Sequence, residues 1–221
     1  ANIFGSGKFA SLQVSTGKIN RVFSVGYTNP YFTVDGISQG FDLYHKRSEP
    51  DKLKLGYSYA TESTGGGVRF GIPIGEKESL NFGAAVDYTD VTVDMQSPYT
   101  PLQYKRFNET HCNGKDSCAN ATVPLTASWI SDGKDSAITP TKGAFQKLAF
   151  EISPLGDLKY YKATYQHQRF FAIAKNLTLM LNGEVGYAKG LSGKEMPFYK
   201  NFYAGGGSSV RGYEAASLGP Y

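Results

Sequence analysis

The sequence predicts an all-β chain, an antiparallel transmembrane β-barrel, and three observations carry that expectation. No stretch of the 221 residues offers the 18 or more apolar positions that a membrane-crossing helix needs, which excludes a helical membrane protein. Nine segments alternate apolar and polar residues with period two. The connections between them, numbered alternately, sort into a compact set and a set that contains long polar segments, as in membrane barrels with short turns on one side and longer loops on the other. Composition agrees: 16 Tyr, 14 Phe and 26 Gly stand against three Met and one Trp. That mixture suits a wall in which every second residue meets lipid and the others meet water.

Taken in order, the expected strands cover residues 9–16, 21–28, 37–45, 67–74, 80–88, 123–129, 145–152, 159–171 and 177–187. The clearest is the last, where Leu177, Leu179, Leu181, Val185 and Tyr187 alternate with positions that include Thr178, Asn182 and Glu184. In the fifth, Leu80, Phe82, Ala84, Val86 and Tyr88 share one side, with Asn81 and Asp87 on the other. In the sixth, Val123, Leu125, Ala127 and Trp129 alternate with Pro124, Thr126 and Ser128. The apolar members are expected to face lipid.

The compact connections are 29–36, 75–78, 132–143 and 174–175. The other set holds the long segments 48–61, 97–122 and 191 onward, with short members at 17–20 and 154–157. Aromatic residues gather toward strand ends: Tyr27, Tyr31 and Phe32; Tyr44; Tyr57 and Tyr59; Tyr160 and Tyr161; Phe170 and Phe171. Rings with a polar tip or edge collect at the headgroup level, so these are expected to form the two girdles of the barrel.

The formal charge of +4 is small and no basic run stands out, so nothing supports nucleic-acid binding. The chain opens without a charged n-region and apolar h-region, so either a signal was removed or this is an internal piece. Cys112 and Cys118 lie six apart in a polar stretch with His111. A metal site would want more ligands, and a thiol enzyme a base placed by the fold. A disulfide closing a surface loop in an oxidising compartment is the favoured expectation. His45, His111 and His167 show no ligand spacing, so neither metal nor cofactor is expected. Asp87 with Asp90, Lys147 with Glu151 and Lys162 with Glu184 could be catalytic pairs, but charges are expected on the inner positions of a water-filled barrel, and no enzyme is expected. The sequons at Asn108, Asn120 and Asn176 are expected to be chance matches.

Near the end of the sequence, Lys194-Glu195-Met196-Pro197-Phe198-Tyr199 leads into Ala204-Gly205-Gly206-Gly207-Ser208-Ser209, and then Val210-Arg211-Gly212-Tyr213, with Leu218-Gly219-Pro220 following. This stretch resembles the sixth extracellular loop of the outer-membrane insertase superfamily, and within it of the BamA assembly factors. Thr28-Asn29-Pro30 through Gly36, and Pro140-Thr141-Lys142-Gly143, resemble the periplasmic turns of the same family. The resemblance runs over essentially the whole chain. TamA-like and two-partner-secretion transporters share the Arg-Gly-aromatic signature, and a porin-type channel is the alternative from another class.

The resemblance implies a partial barrel over residues 1–221: about nine strands of a family total of sixteen, from the third strand to the start of the sixth loop at 191–221, without the periplasmic POTRA repeats. It implies location in the bacterial outer membrane and a role in inserting other β-barrels. The implied partners are outer-membrane lipid and lipopolysaccharide, the lipoproteins of the assembly complex and unfolded barrel clients. It also implies that Arg211 lies inside the barrel and pins the loop to the wall. The physics is compatible: glycines at 205–207 and 212 permit backbone paths that side chains forbid, and a guanidinium that keeps its charge needs carboxylate or carbonyl partners.

Overall fold

The computed structural model describes residues 5–17, 20–49, 59–95, 100, 102–193, 195–205, 210–213 and 218. Among these, nine strands form one antiparallel sheet in chain order: β1 (Phe9–Thr16), β2 (Asn20–Asn29), β3 (Ser38–Ser48), β4 (Tyr59–Pro73), β5 (Glu78–Val93), β6 (Ser117–Asp132), β7 (Gly143–Gly156), β8 (Tyr160–Ala174) and β9 (Leu177–Gly190). One helix, α1 (Leu102–His111), lies between β5 and β6, and a 3-10 turn, Phe198–Lys200, follows β9. Each strand thus pairs with its sequence neighbours, the up-and-down topology that the period-two segments predict.

Register fixes the two faces of the wall, because opposed residues share a face and neighbours along a strand do not. The inner face is the one that carries α1: Val91 and Val93 of β5 are buried against Tyr104 and Phe107 of that helix. Alternation back along β5 then puts Asp87 inside, and Leu80, Phe82, Ala84, Val86 and Tyr88 outside. Phe82, Val86 and Tyr88 are exposed there, as lipid-facing residues are. On β9, Gly186 lies against Phe202 on the inner side, which leaves Leu177, Leu179, Leu181, Val185 and Tyr187 outside. Both expected lipid faces are present as single faces.

Pro124 is placed by a local irregularity. Proline cannot donate to a ladder and is tolerated within a sheet at bulges. The β6–β7 register shifts between Val123 and Leu125, at that residue.

The wall is taller than the sequence pattern suggests. β4 begins at Tyr59, β5 runs to Val93 and β6 begins at Ser117, so the polar connections 48–61 and 97–122 are partly strand. The reason is an inversion of polarity. Toward the top of β5 the inner positions Val91 and Val93 are apolar, whereas the outer Asp90 and Thr92 are polar. Period two persists, but what was the lipid side has become the water side. Part of the expected girdle is corrected by the same fact. Tyr160 is fully buried on the inner face, and Tyr59 packs there on Tyr104. Tyr44, opposite Gly65, is also inside. Tyr27 stacked on Phe41, and Tyr161 beside Tyr187, remain outward pairs. Tyr57 lies outside the described residues.

The turn 133–142 is organised by one carboxylate. Asp135 accepts hydrogen bonds from the Thr141 hydroxyl at 2.6 Å and from the backbone N–H groups of Thr141 and Lys142 at 2.9 and 3.1 Å. The Thr141 hydroxyl first, then these amides, lower its pKa from 3.8 to about 2. A carboxyl whose folded pKa is depressed stabilises the fold above its unfolded value and loses that contribution as pH falls through the folded one. The turn is therefore expected to keep its order from neutral pH to about 4 and to lose it between about 4 and 2. Amide exchange at Thr141 and Lys142 measures this, and Asp135→Asn should abolish the transition.

Candidate functional site

Where the chain leaves β9 it turns back over the inner face instead of extending into solvent. Phe198, only 1% exposed, is the centre of this return. Its ring centroid lies 4.1 Å from that of Tyr104, 5.3 Å from Tyr59, 5.4 Å from Phe107 and 5.5 Å from Tyr199. Edge-to-face and offset pairs at these separations add to the apolar burial that closes the seat. Leu158, before β8, completes it from the side.

Helix α1 is what makes the seat possible. Its buried residues Tyr104, Phe107 and Asn108 fall at i, i+3 and i+4, so one stripe of an otherwise polar helix faces the wall. The helix ends at the disulfide: Cys112 is bonded to Cys118 of β6, with Cα atoms 5.3 Å apart. The bond differs in setting from the surface-loop closure that the spacing suggests. Cys112 is buried in the same cluster as Phe198, and Cys118 packs against it, so the bond ties the helix to the inner wall. Buried Asn108 and Asn120 are closed to a glycan.

Below the seat, Phe202 lies flat on β9. A Cβ at Gly186 would stand 2.5 Å from its ring, so glycine is required for this close approach. From the other side the Lys162 ammonium stands 4.2 Å from the Phe202 centroid and donates a hydrogen bond to the Lys200 carbonyl at 3.2 Å. The Tyr203 hydroxyl donates to the Phe198 carbonyl at 2.9 Å, which folds the segment on itself. Burial, then the Asp87 charge, raises the pKa of Tyr199 above the ordinary tyrosine value, so its hydroxyl stays a neutral donor.

Beyond Tyr203 the loop narrows to a neck. Ala204 and Leu218 exchange backbone hydrogen bonds of 2.6 and 2.9 Å, so the intervening tip is a closed excursion. Within it Val210, Arg211, Gly212 and Tyr213 form an exposed turn, with Gly212 at φ 91° and the Tyr213 amide directed at the Val210 carbonyl. Arg211 makes no ion pair with the described residues of this chain, and Gly205 has φ 116°. Gly206 and Gly207 lie outside the described residues. The structure thus brings the lead-in, not the Arg-Gly-Tyr motif, into contact with these nine strands.

Asp87 and Asp90 are separated, because three residues along a strand is an odd step: Asp87 points inward and Asp90 outward. Lys147 and Glu151 share the inner face of β7, and Lys162 and Glu184 face inward from β8 and β9. Sequence reasoning missed α1, Phe107 and Leu158 as parts of the site. The stripe Tyr104–Phe107–Asn108 was the available signal.

A membrane wall of antiparallel strands, with an outer loop folded back onto its inner face, defines a plugged outer-membrane β-barrel. The chain belongs to the Omp85 superfamily, whose domain model matches residues 2–221. It is 39% identical over 99% of its length to the outer membrane protein assembly factor BamA of Neisseria meningitidis serogroup B, and 27% identical over 99% to that of Nitratidesulfovibrio vulgaris. It is also similar, at 22% identity over 87% of the chain, to the mouse sorting and assembly machinery component 50 homolog. Among solved structures it superposes on BamA of Haemophilus ducreyi lacking POTRA domains 1–3, with TM-score 0.85 at 23% identity over 98% of this chain and 42% of that one; this match shows the fold. The chain spans 28% and 26% of the two bacterial relatives' length.

Proposed function

We propose that this chain is the wall and part of the sixth loop of an insertase that folds β-barrel proteins into the bacterial outer membrane, without a chemical reaction or cofactor. The observation that carries this reading is the seated lead-in: Phe198 to Phe202 occupy the inner face, where a conducting porin would keep a water-filled path. The assembly-factor names of the bacterial relatives support insertion over secretion. The partners proposed are unfolded barrel clients, received by strand addition at an exposed sheet edge, together with the lipoproteins of the assembly complex and outer-membrane lipid and lipopolysaccharide. Reconstituted in vesicles, the whole protein should accelerate folding of a urea-unfolded barrel client and conduct little current. Steady conductance without acceleration would refute this reading and favour a channel.

Within this reading Arg211 anchors the loop tip inside the complete barrel through charge-assisted hydrogen bonds. Arg211→Ala should then leave acceptors unpaired and cost roughly 1.5–3 kcal/mol locally. Lysine should rescue only in part, since it restores charge without the planar fork. Protease sensitivity of the loop and client assembly in cells measure the effect. Wild-type behaviour of both would leave the motif without an anchoring role.

A further inference from the structure

Beneath the aromatic seat lies a set of charges that the seat itself does not need. The Lys200 ammonium, at the end of the 3-10 turn, is 3.9 Å from Glu151 Oε1 on β7. The same oxygen accepts the Tyr160 hydroxyl at 2.5 Å. Across a cavity of about 210 Å³, lined by Asp87, Glu151 and Lys200 among others, stands the carboxylate of Asp87. Asp87 is 8% exposed, and its Oδ1 has no hydrogen-bond partner. It lies across Gly65, where a Cβ would collide with that oxygen, so the sheet is shaped to hold the carboxylate in this place.

A buried carboxylate oxygen without a donor is costly, and a facing cation is its natural complement. Two other inward cations have partners of their own. Arg69 is 2.9 Å from Asp42 and also donates to Thr28, while Lys162 is held by the Lys200 carbonyl and the Phe202 ring. Lys200 is bound loosely by comparison, and it lines the same cavity as Asp87 and Glu151. One ammonium and two carboxylates, on β5 and β7, therefore share one cavity.

We propose that Lys200 is a positioning residue, a latch whose ammonium is shared between Glu151 and Asp87 and pins the lead-in of the sixth loop to the inner wall, separately from the Arg211 tip. The latch deepens the insertase reading and rests on it for its purpose. It divides the loop into two segments with separate restraints, so the tip can leave its site while Phe198 to Phe202 stay seated.

The test uses the full-length protein in the outer membrane of cells, with Ala204→Cys as the reporter in a background without other free thiols. Lys200→Met, which keeps the stem and removes the charge, should raise the rate of labelling by a water-soluble maleimide on the order of fivefold. Lys200→Arg should label at the parent rate. Lys200→Glu should label fast, and adding Glu151→Lys to it should slow labelling again. That rescue separates a charge latch from simple loss of packing, because a barrel damaged by one charge reversal is not repaired by a second unless the two meet. Parent-rate labelling of Lys200→Met, or failure of the swap to restore protection, overturns the latch whatever client assembly does. Raised labelling with undiminished client assembly keeps the latch and removes its link to insertion.

Discussion

Arginine in place of Ala84 is expected to destabilise the folded wall by about 2–4 kcal/mol, the range for a cation on the lipid face near mid-membrane. Ala84 lies in the middle of β5 and faces outward, opposite Val68 on β4 and Leu125 on β6, with Phe82 and Val86 next along the same face. A guanidinium there has no carboxylate within the apolar band and must reach water by bending along the wall. Leu181→Arg on β9 meets an additional penalty, since its register partner on β8 is Arg169 and like charges directly opposite repel. Two controls bound the effect. Glu78→Arg, at the start of β5, replaces one charge by another where the strand leaves the membrane. Ser128→Arg on β6 points into an inner cavity of about 250 Å³, lined also by Lys147, Glu151 and Thr164, and should cost less than about 1 kcal/mol. Equilibrium unfolding in lipid vesicles decides the matter. Equal costs at 84 and 128 would mean that the two faces are not lipid and lumen.

The nine strands were legible because each carries a period-two contrast across the membrane. Leu177 to Tyr187 on β9 is outward at every odd step, and the close approach of Phe202, at Gly186, falls on the opposite face. Legibility fails where the wall leaves lipid. Val91 and Val93 continue the alternation of β5 but on the inner side, so a rule that equates apolar with lipid stops at Tyr88. Tyr59 and Tyr160 are misjudged for the same reason: an aromatic near a strand end can face headgroups or a plug, and strand parity says which only after one face is fixed. Helix α1 escapes notice because its apolar content is the exposed Leu102 and two rings, Tyr104 and Phe107, among Lys105, Arg106 and Glu109. Such a helix is stabilised by the wall on which it packs, and its own periodicity is too weak to announce it. Two further points were available in the sequence. The odd spacing of Asp87 and Asp90 already divides them between faces. The glycine at 186, in the middle of a strand, already marks a close approach by another part of the chain.

Replacing Phe198 by alanine is expected to have the larger effect on the loop, a loss of about 3–5 kcal/mol in the seating of the lead-in. The ring is 1% exposed and meets four aromatic rings with centroids between 4.1 and 5.5 Å away, so its removal leaves a void lined by Tyr59, Tyr104, Phe107 and Tyr199. Those side chains cannot all collapse inward: Tyr104 and Phe107 are fixed by α1, whose end is tied to β6 by the Cys112–Cys118 bond. The strand ladders do not depend on Phe198, so the cost falls on the equilibrium between seated and released loop, which should shift toward release by about 10²–10⁴-fold. Phe198→Leu keeps much of the volume and should cost under about 1.5 kcal/mol. The measurement is twofold: protease cleavage between residues 191 and 205 in intact outer membranes, and conductance of the purified barrel in planar bilayers. Alanine should open both and leucine should open neither appreciably, while the heat-resistant compact form of the barrel persists in each. If the alanine variant stays protected and non-conducting, the seat is not what holds the loop inside, and the restraint must lie with the charges below it and with Arg211.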